Sequence, residues 1–222
     1  MSGLSASFLR VRHDDYGRSI DTALAPDLIY GLDIETDTTR GGLDPREAPI
    51  VAVALCGAGW TSVFDGDERA ILTALDDAIA ALPPGVLVTW NGSRFDLPFL
   101  SDRARTNGMT LGLRLTIDPH HRSSRDPLPG HAGGYLACWH EQRHLDAYIV
   151  YRADVGASLG LPCGLKPLSR FLGFSPVEVD RTAIHELSAK ELEDYVASDA
   201  ILTRELALRR WMTASRAIDN LG

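Results

Sequence analysis

Cysteine is scarce. Cys56, Cys138 and Cys163 are scattered through 222 residues with no paired spacing. This argues against a disulfide framework and fits a reducing, cytoplasmic setting. Long apolar runs are also missing. None approaches the roughly 20 residues of a membrane-spanning helix, so no membrane partner is expected. The N-terminus, MSGLSASFLRVRHDD, lacks a basic leader followed by an apolar stretch and a cleavage site, which argues against a secretory signal. Positive charge is in deficit: 22 Lys and Arg face 30 Asp and Glu, for a net charge of −8. A protein that grips duplex nucleic acid by neutralising phosphates is usually basic. Either nucleic acid is not the partner, or the acidity is gathered where cations neutralise it. Repeats and low-complexity segments are absent too.

With 45% hydrophobic and 23% charged residues, the composition is that of an ordinary globular chain able to bury a sizeable core. The length suits one domain, read as 1–222 with a core over about 28–210. Residues 28–36 read as a buried strand that stops at polar residues. TDTTRGGLDPREAP is a polar loop, and IVAVALCGAG and WTSVFDG read as two more strands joined by a turn. Residues 67–82 carry apolar side chains at helical spacing and stop at Pro83-Pro84. GVLVTWNG reads as a fourth buried strand, and FDLPFLSDRARTNG as a helix with Pro98 in its first turn and Gly108 near its end. The segment 118–143 is polar and rich in Pro, Gly and His, and reads as an irregular insertion. HLDAYIVYR predicts a short strand end leading into a helix, and GLKPLSRFLGF a short helix closed by Gly173. Ser188 and Glu191 form a capping box that opens the last helix. Its apolar face runs through Leu192, Val196, Leu202 and Leu206. This order predicts an α/β domain with a mixed sheet, its first three strands antiparallel and the fourth parallel.

The sequence YGLDIETDT places Asp33 and Glu35 on one face of a strand end. Two like charges at close range resist joint ionisation, and a divalent cation reverses that. A hard cation such as Mg²⁺ prefers oxygen ligands. WNGSRFD puts Asp96 at the carboxyl edge of the fourth strand, where open α/β sheets place ligands, although a helix N-cap or first-turn Asp reads the same way. YVASD places Tyr195 and Asp199 four apart, on one helix face that is otherwise apolar. An Asp there is costly unless paired or ligated, and an Arg partner is the plain alternative. Asp146, in HLD, is a fifth acid.

DIE, NGSRFD and YVASD, in that order, closely resemble the three exonuclease motifs of the DEDD superfamily, tyrosine subclass. WNGSRFDLPFL and HLDAYIV look most like the proofreading domains of family-B DNA polymerases and their stand-alone relatives. The resemblance spans about residues 28–210. It implies a ribonuclease H-like fold and a free-standing 3′→5′ exonuclease that acts on single-stranded or frayed ends of DNA or RNA, DNA favoured. Repair, proofreading in trans and RNA processing are all compatible roles. Two Mg²⁺ or Mn²⁺ ions are implied as cofactors. On this resemblance Asp33 bridges both ions, Glu35 and Asp199 hold the one that activates water, and Asp96 holds the second. Tyr195 orients the attacking water, and Asn91, Phe95 and Thr36 line the path of the terminal nucleotides. For Asn91 and Phe95 a turn residue and a core aromatic are the alternatives. Asp146 is expected to support the site or to play a purely structural part. Arg94, Arg103, Arg105, Arg122, Arg125 and Lys166 are basic residues that could track a strand's backbone, but they form no clear patch, and most read as ordinary surface charges.

A different enzyme class competes. HEQRH, residues 140–144, fits the H-E-x-x-H helix signature of zinc proteases, with His140 and His144 as ligands and Glu141 as base. Its inner pair is wholly polar, which leaves such a helix no face to bury. A structural zinc on Cys138 with His120, His121, His131 or His140 matches no common finger spacing. A nucleic-acid-binding module without activity is a third reading, opposed by the intact Asp33, Glu35, Asp96, Tyr195 and Asp199.

Overall fold

The computed structural model describes residues 25–39, 41–119 and 128–213. The described residues form a seven-stranded mixed sheet, ordered β3-β2-β1-β4-β7-β6-β5. Its strands are β1 (Ile29–Thr36), β2 (Ile50–Gly57), β3 (Trp60–Asp65), β4 (Val86–Thr89), β5 (Leu113–Ile117), β6 (Tyr135–Trp139) and β7 (Gln142–Asp146). The first three form the predicted antiparallel meander, and β4 pairs parallel to β1. β7 continues the parallel set beside β4.

The helices are α1 (Glu68–Ala81), α2 (Asp96–Thr106), α3 (Ala147–Tyr151), α4 (Ala157–Leu159), α5 (Leu165–Phe171) and α6 (Ala189–Arg209), with a π-helical turn at Arg152–Gly156. Asp67 caps α1 by accepting the Ala70 N–H, and the Ser188–Glu191 capping box opens α6 as predicted. Side chains alternate along each strand, and the two faces take different partners. Tyr30, Leu32 and Ile34 of β1 join Val53, Leu55 and Leu87 against Ile71, Leu72, Leu75 and Ile79 of α1 and Leu97, Phe99 and Leu100 of α2. On the other face Ala52, Ala54 and Cys56 of β2 meet Val196 and Ala200 of α6. Leu202 and Leu206 turn instead toward Tyr151, Leu165 and Leu168, so the face predicted as one stripe divides between the sheet and α5.

Small residues set how closely α6 approaches the sheet. A Cβ on Gly31 would lie 2.3 Å from the Ala200 carbonyl oxygen. Arg204 closes the same contact from the side: its guanidinium donates to the Ile29 carbonyl at 2.8 Å and to the Pro26 carbonyl at 2.9 Å. On the opposite face Glu68 receives the Arg103 guanidinium, the Asn107 amide and the Ile50 backbone N–H, tying α1, α2 and β2 together.

Of the segment 118–143, residues 128–143 are more regular than their composition predicts. β6 and the first residues of β7 lie within it and form a hairpin that, with β5, widens the sheet. The HEQRH residues are not helical. His140, at φ 49°, lies in the β6–β7 turn, and Gln142 onward is strand. His140 pairs with Asp76 and His144 with the Thr89 hydroxyl, so the two imidazoles serve different partners and the protease geometry is absent. No helix among the described residues is long and apolar enough to cross a membrane.

Candidate metal centre

Alternation in β1 carries Asp33 and Glu35 to the face that α6 covers. On α6, Asp199 lies one turn beyond Tyr195, and the helix brings its carboxylate to the same place. One oxygen from each of Asp33, Glu35 and Asp199 lies within 4.8 Å of the others, and this is the one such group of candidate ligands among the described residues. Asp33 and Glu35 are half-buried; Asp199 is buried. Three carboxylates so close repel one another strongly in a site of reduced dielectric. An all-oxygen set of this kind fits a hard divalent cation, which turns the repulsion into attraction.

Asp96 reaches the site from another element. β1 and β4 pair only from Ile29 to Gly31, and further along β1 the buried Asp96 accepts the Ile34 backbone N–H. Its carboxylate thus sits against the strand residue between Asp33 and Glu35. Burial, with the Asp146 charge nearby, pushes its carboxyl up to about 7, against the pull of backbone N–H donors. A cation beside it would remove that cost.

Asp146 holds the turn that presents Asp96. It accepts the Asn91 N–H at 2.8 Å, the Ser93 hydroxyl at 2.6 Å, the Ser93 N–H at 3.2 Å and the Tyr148 N–H at 3.1 Å. Burial raises its carboxyl above the ordinary range, and these donors oppose the rise. A carboxylate with several donors fixes a loop, the supporting role expected of it. Asn91 is a turn residue: at φ 69° its carbonyl accepts both the Arg94 and Phe95 N–H groups. Phe95 is half-buried against Phe99, ring centroids 5.4 Å apart, and Thr36 is buried at the end of β1 beside a register shift.

Lys166 corrects the sequence reading most sharply. It is not a surface charge but 6% exposed on α5, with Nζ 3.4 Å from Asp199 Oδ1 and 3.7 Å above the Tyr195 ring centroid. The preceding loop is anchored where the Trp90 indole donates to the Cys163 carbonyl at 3.2 Å, and Trp90 packs on Tyr148 and Tyr151. The one sequence signal was the lysine's position inside a short apolar helix. Arg103 and Arg94 are buried as well, whereas Arg105 is exposed and pairs with Asp102. Arg122, Arg125, His120 and His121 lie outside the described residues. Of the remaining zinc candidates, Cys138 meets Arg114, and His131 bridges Asp102 and the Tyr135 hydroxyl.

A family model described as RNase_H_2, of the RNase H superfamily, matches residues 31–186. Tyr195 and Asp199 lie beyond that span, and the geometry joins them to the other acids. The chain is 29% identical over 127 residues to DNA polymerase 2 of Aeropyrum pernix, covering 53% of this chain and 15% of that protein. It is 28% identical over 156 residues to the catalytic subunit of DNA polymerase epsilon from Eremothecium gossypii, covering 68% of this chain and 7% of that protein. The chain thus corresponds to a small part of each. A solved family B DNA polymerase from the archaeon Pyrobaculum calidifontis superposes with a TM-score of 0.68 at 21% identity, over 87% of this chain and 26% of that one. The resemblance to family-B DNA polymerases and the ribonuclease H-like fold read from the motifs are both borne out. The mixed sheet, the position of the carboxylates and these matches lead to one statement of kinship: the chain belongs to the RNase H superfamily.

Proposed function

We propose that this chain is a metal-dependent 3′→5′ exonuclease that hydrolyses single-stranded or frayed ends, DNA favoured, and releases nucleoside 5′-monophosphates. The observation that carries the reading is the convergence of Asp33, Glu35 and Asp199 within 4.8 Å, with Asp96 on the backbone between the first two. Its relatives by sequence are DNA polymerases, which supports a nucleic-acid substrate.

Asp33, Glu35 and Asp199 would hold one divalent ion, and Asp33 with Asp96 a second. When bound, Mg²⁺ or Mn²⁺ there would supply Lewis-acid charge for the scissile phosphate and lower the pKa of water. The carboxylates fix where that charge sits, and Asp146 fixes Asp96 through the turn. Tyr195 would orient the attacking water, and Lys166 holds positive charge beside Asp199 and the Tyr195 ring. Asn91, Phe95 and Thr36 would border the terminal nucleotides. The chain's acidity fits this reading, because the metal centre gathers acids where ions neutralise them. A frayed single strand needs less phosphate neutralisation than a gripped duplex.

The test is a digestion of matched 5′-labelled DNA and RNA oligonucleotides with Mg²⁺, Mn²⁺, Zn²⁺ or EDTA. A ladder that shortens from the 3′ end, stops with EDTA and is faster on DNA supports the reading. A ladder of the opposite polarity, or cleavage that survives EDTA, refutes it.

A further inference from the structure

After α5 the chain runs back along α6 as a strap, residues 174–180. Its middle residue makes two backbone hydrogen bonds that point in opposite directions. The Val177 N–H donates to Ser198 Oγ at 3.1 Å, and the Val177 carbonyl accepts from Lys166 Nζ at 2.6 Å. Lys166 Nζ is the group that stands 3.4 Å from Asp199 and over the Tyr195 ring. The Phe174 N–H on the Ser169 carbonyl and the Arg170–Glu178 ion pair fasten the strap to α5. Ser198 adjoins Asp199 in sequence but lies about 100° around the helix, at 3.6 residues per turn. It therefore bonds the strap while Asp199 joins the carboxylates.

A lysine side chain loses about 1.5–2 kcal/mol of rotamer freedom when it is fixed. An ammonium beside a cluster of three carboxylates is also drawn toward all three. Held by the Val177 carbonyl, the Lys166 ammonium stands 3.4 Å from Asp199, at one side of the cluster. Released, it would reach further toward Asp33 and Glu35 and compete with a divalent ion for them. We propose that Ser198 is a positioning residue: through the Val177 backbone it keeps the Lys166 ammonium at the rim of the carboxylate cluster and leaves room there for a cation. The proposal deepens the nuclease reading and rests on it for its consequence in turnover.

Mn²⁺ binding followed by electron paramagnetic resonance tests it, with thermal unfolding run alongside. The proteins are wild type, Ser198→Ala, Ser198→Thr, Lys166→Met and the Ser198→Ala/Lys166→Met double variant. Ser198→Ala weakens Mn²⁺ binding by about three- to tenfold, in the lower part of the coupling found between residues that share partners. Ser198→Thr keeps the hydroxyl and the affinity. In the Lys166→Met background, Ser198→Ala changes nothing, because the competing ammonium is gone. The proposal is overturned if Ser198→Ala lowers the melting temperature while Mn²⁺ affinity stays, the signature of a purely structural serine. It is equally overturned if the loss persists with Lys166→Met, if Ser198→Thr loses as much, or if the wild type binds no Mn²⁺. A wild type that passes this cycle yet digests no oligonucleotide refutes the nuclease reading and leaves the positioning role standing.

Discussion

Single residues separate the site into carboxylates proposed as ligands and groups that hold them in place. Asp33, Glu35 and Asp199 lie within 4.8 Å of one another, and Asp33 is the one proposed to serve both ions. Asp33→Ala is expected to reduce nuclease turnover by about a thousandfold or more, the weight of a metal ligand worth several kcal/mol. Its circular dichroism spectrum stays unchanged, because the side chain is only half-buried. Tyr195→Phe keeps the buried ring beneath Lys166 and removes only the hydroxyl. A smaller loss of about ten- to a hundredfold is expected in kcat, since water positioning is part of the barrier. Asp33→Ala digesting a labelled strand at the wild-type rate would sink the assignment. At this scale spacing gave each pair a common face, D-x-E on a strand and Y-x-x-x-D on a helix, and only the family resemblance joined the pairs into one expected site. Lys166 was not legible. A lysine is ordinarily exposed, and nothing local distinguishes one that a distant carboxylate will bury.

Whole elements position these groups through a few close contacts. α6 lies near enough to β1 for Asp199 to meet Asp33 only because Gly31 has no side chain. Gly31→Ala must push α6 outward or strain β1. A loss of about 1–3 kcal/mol in urea unfolding is expected, together with weaker divalent-ion binding; unchanged values of both would show that the contact relaxes freely. On the opposite face, burial pushes the Glu68 carboxyl up, but the Arg103, Ile50 and Asn107 donors prevail and hold it below its ordinary value of 4.5. A depressed acid contributes stability that is present above the unfolded pKa and lost as pH falls through the folded one. Glu68→Gln should therefore cost about 1–3 kcal/mol near pH 7, the range for losing the charged acceptor of several hydrogen bonds in a half-buried site, and the deficit should shrink as pH falls below 4.5. Denaturant titrations of both proteins at about pH 7 and about pH 3.5 measure it. The main strands and helices were legible because burial on one face leaves a period of two or 3.6. The hairpin within 118–143 was not, because its half-exposed strands carry little alternation and its Gly, Pro and His content resembles a loop.

For the whole molecule, the proposed metal centre would link folding to cation binding. Unfolding separates β1 from α6 and destroys the site, so a divalent ion that binds only the folded chain stabilises it by mass action. At a hundred times the dissociation constant the gain is about 2.7 kcal/mol. Melting temperature should rise with Mg²⁺ or Mn²⁺ in the wild type and stay flat in Asp199→Asn, as read by differential scanning fluorimetry. An equal rise in both would place the ion elsewhere.

By itself the sequence determined the local periods: which segments become strand or helix, where α6 starts, and which acids stand at element ends. Those features depend on near neighbours and on the alternation of apolar side chains, which a linear reading contains. Only the tertiary structure decided which side chains share one place. Residues 33, 96, 166 and 199 are remote in the chain. Their meeting depends on strand order, on the closeness of α6 to β1 and on the packing of α5, which carries a lysine to an aspartate. Those are contacts between elements, and their energies are absent from any single segment.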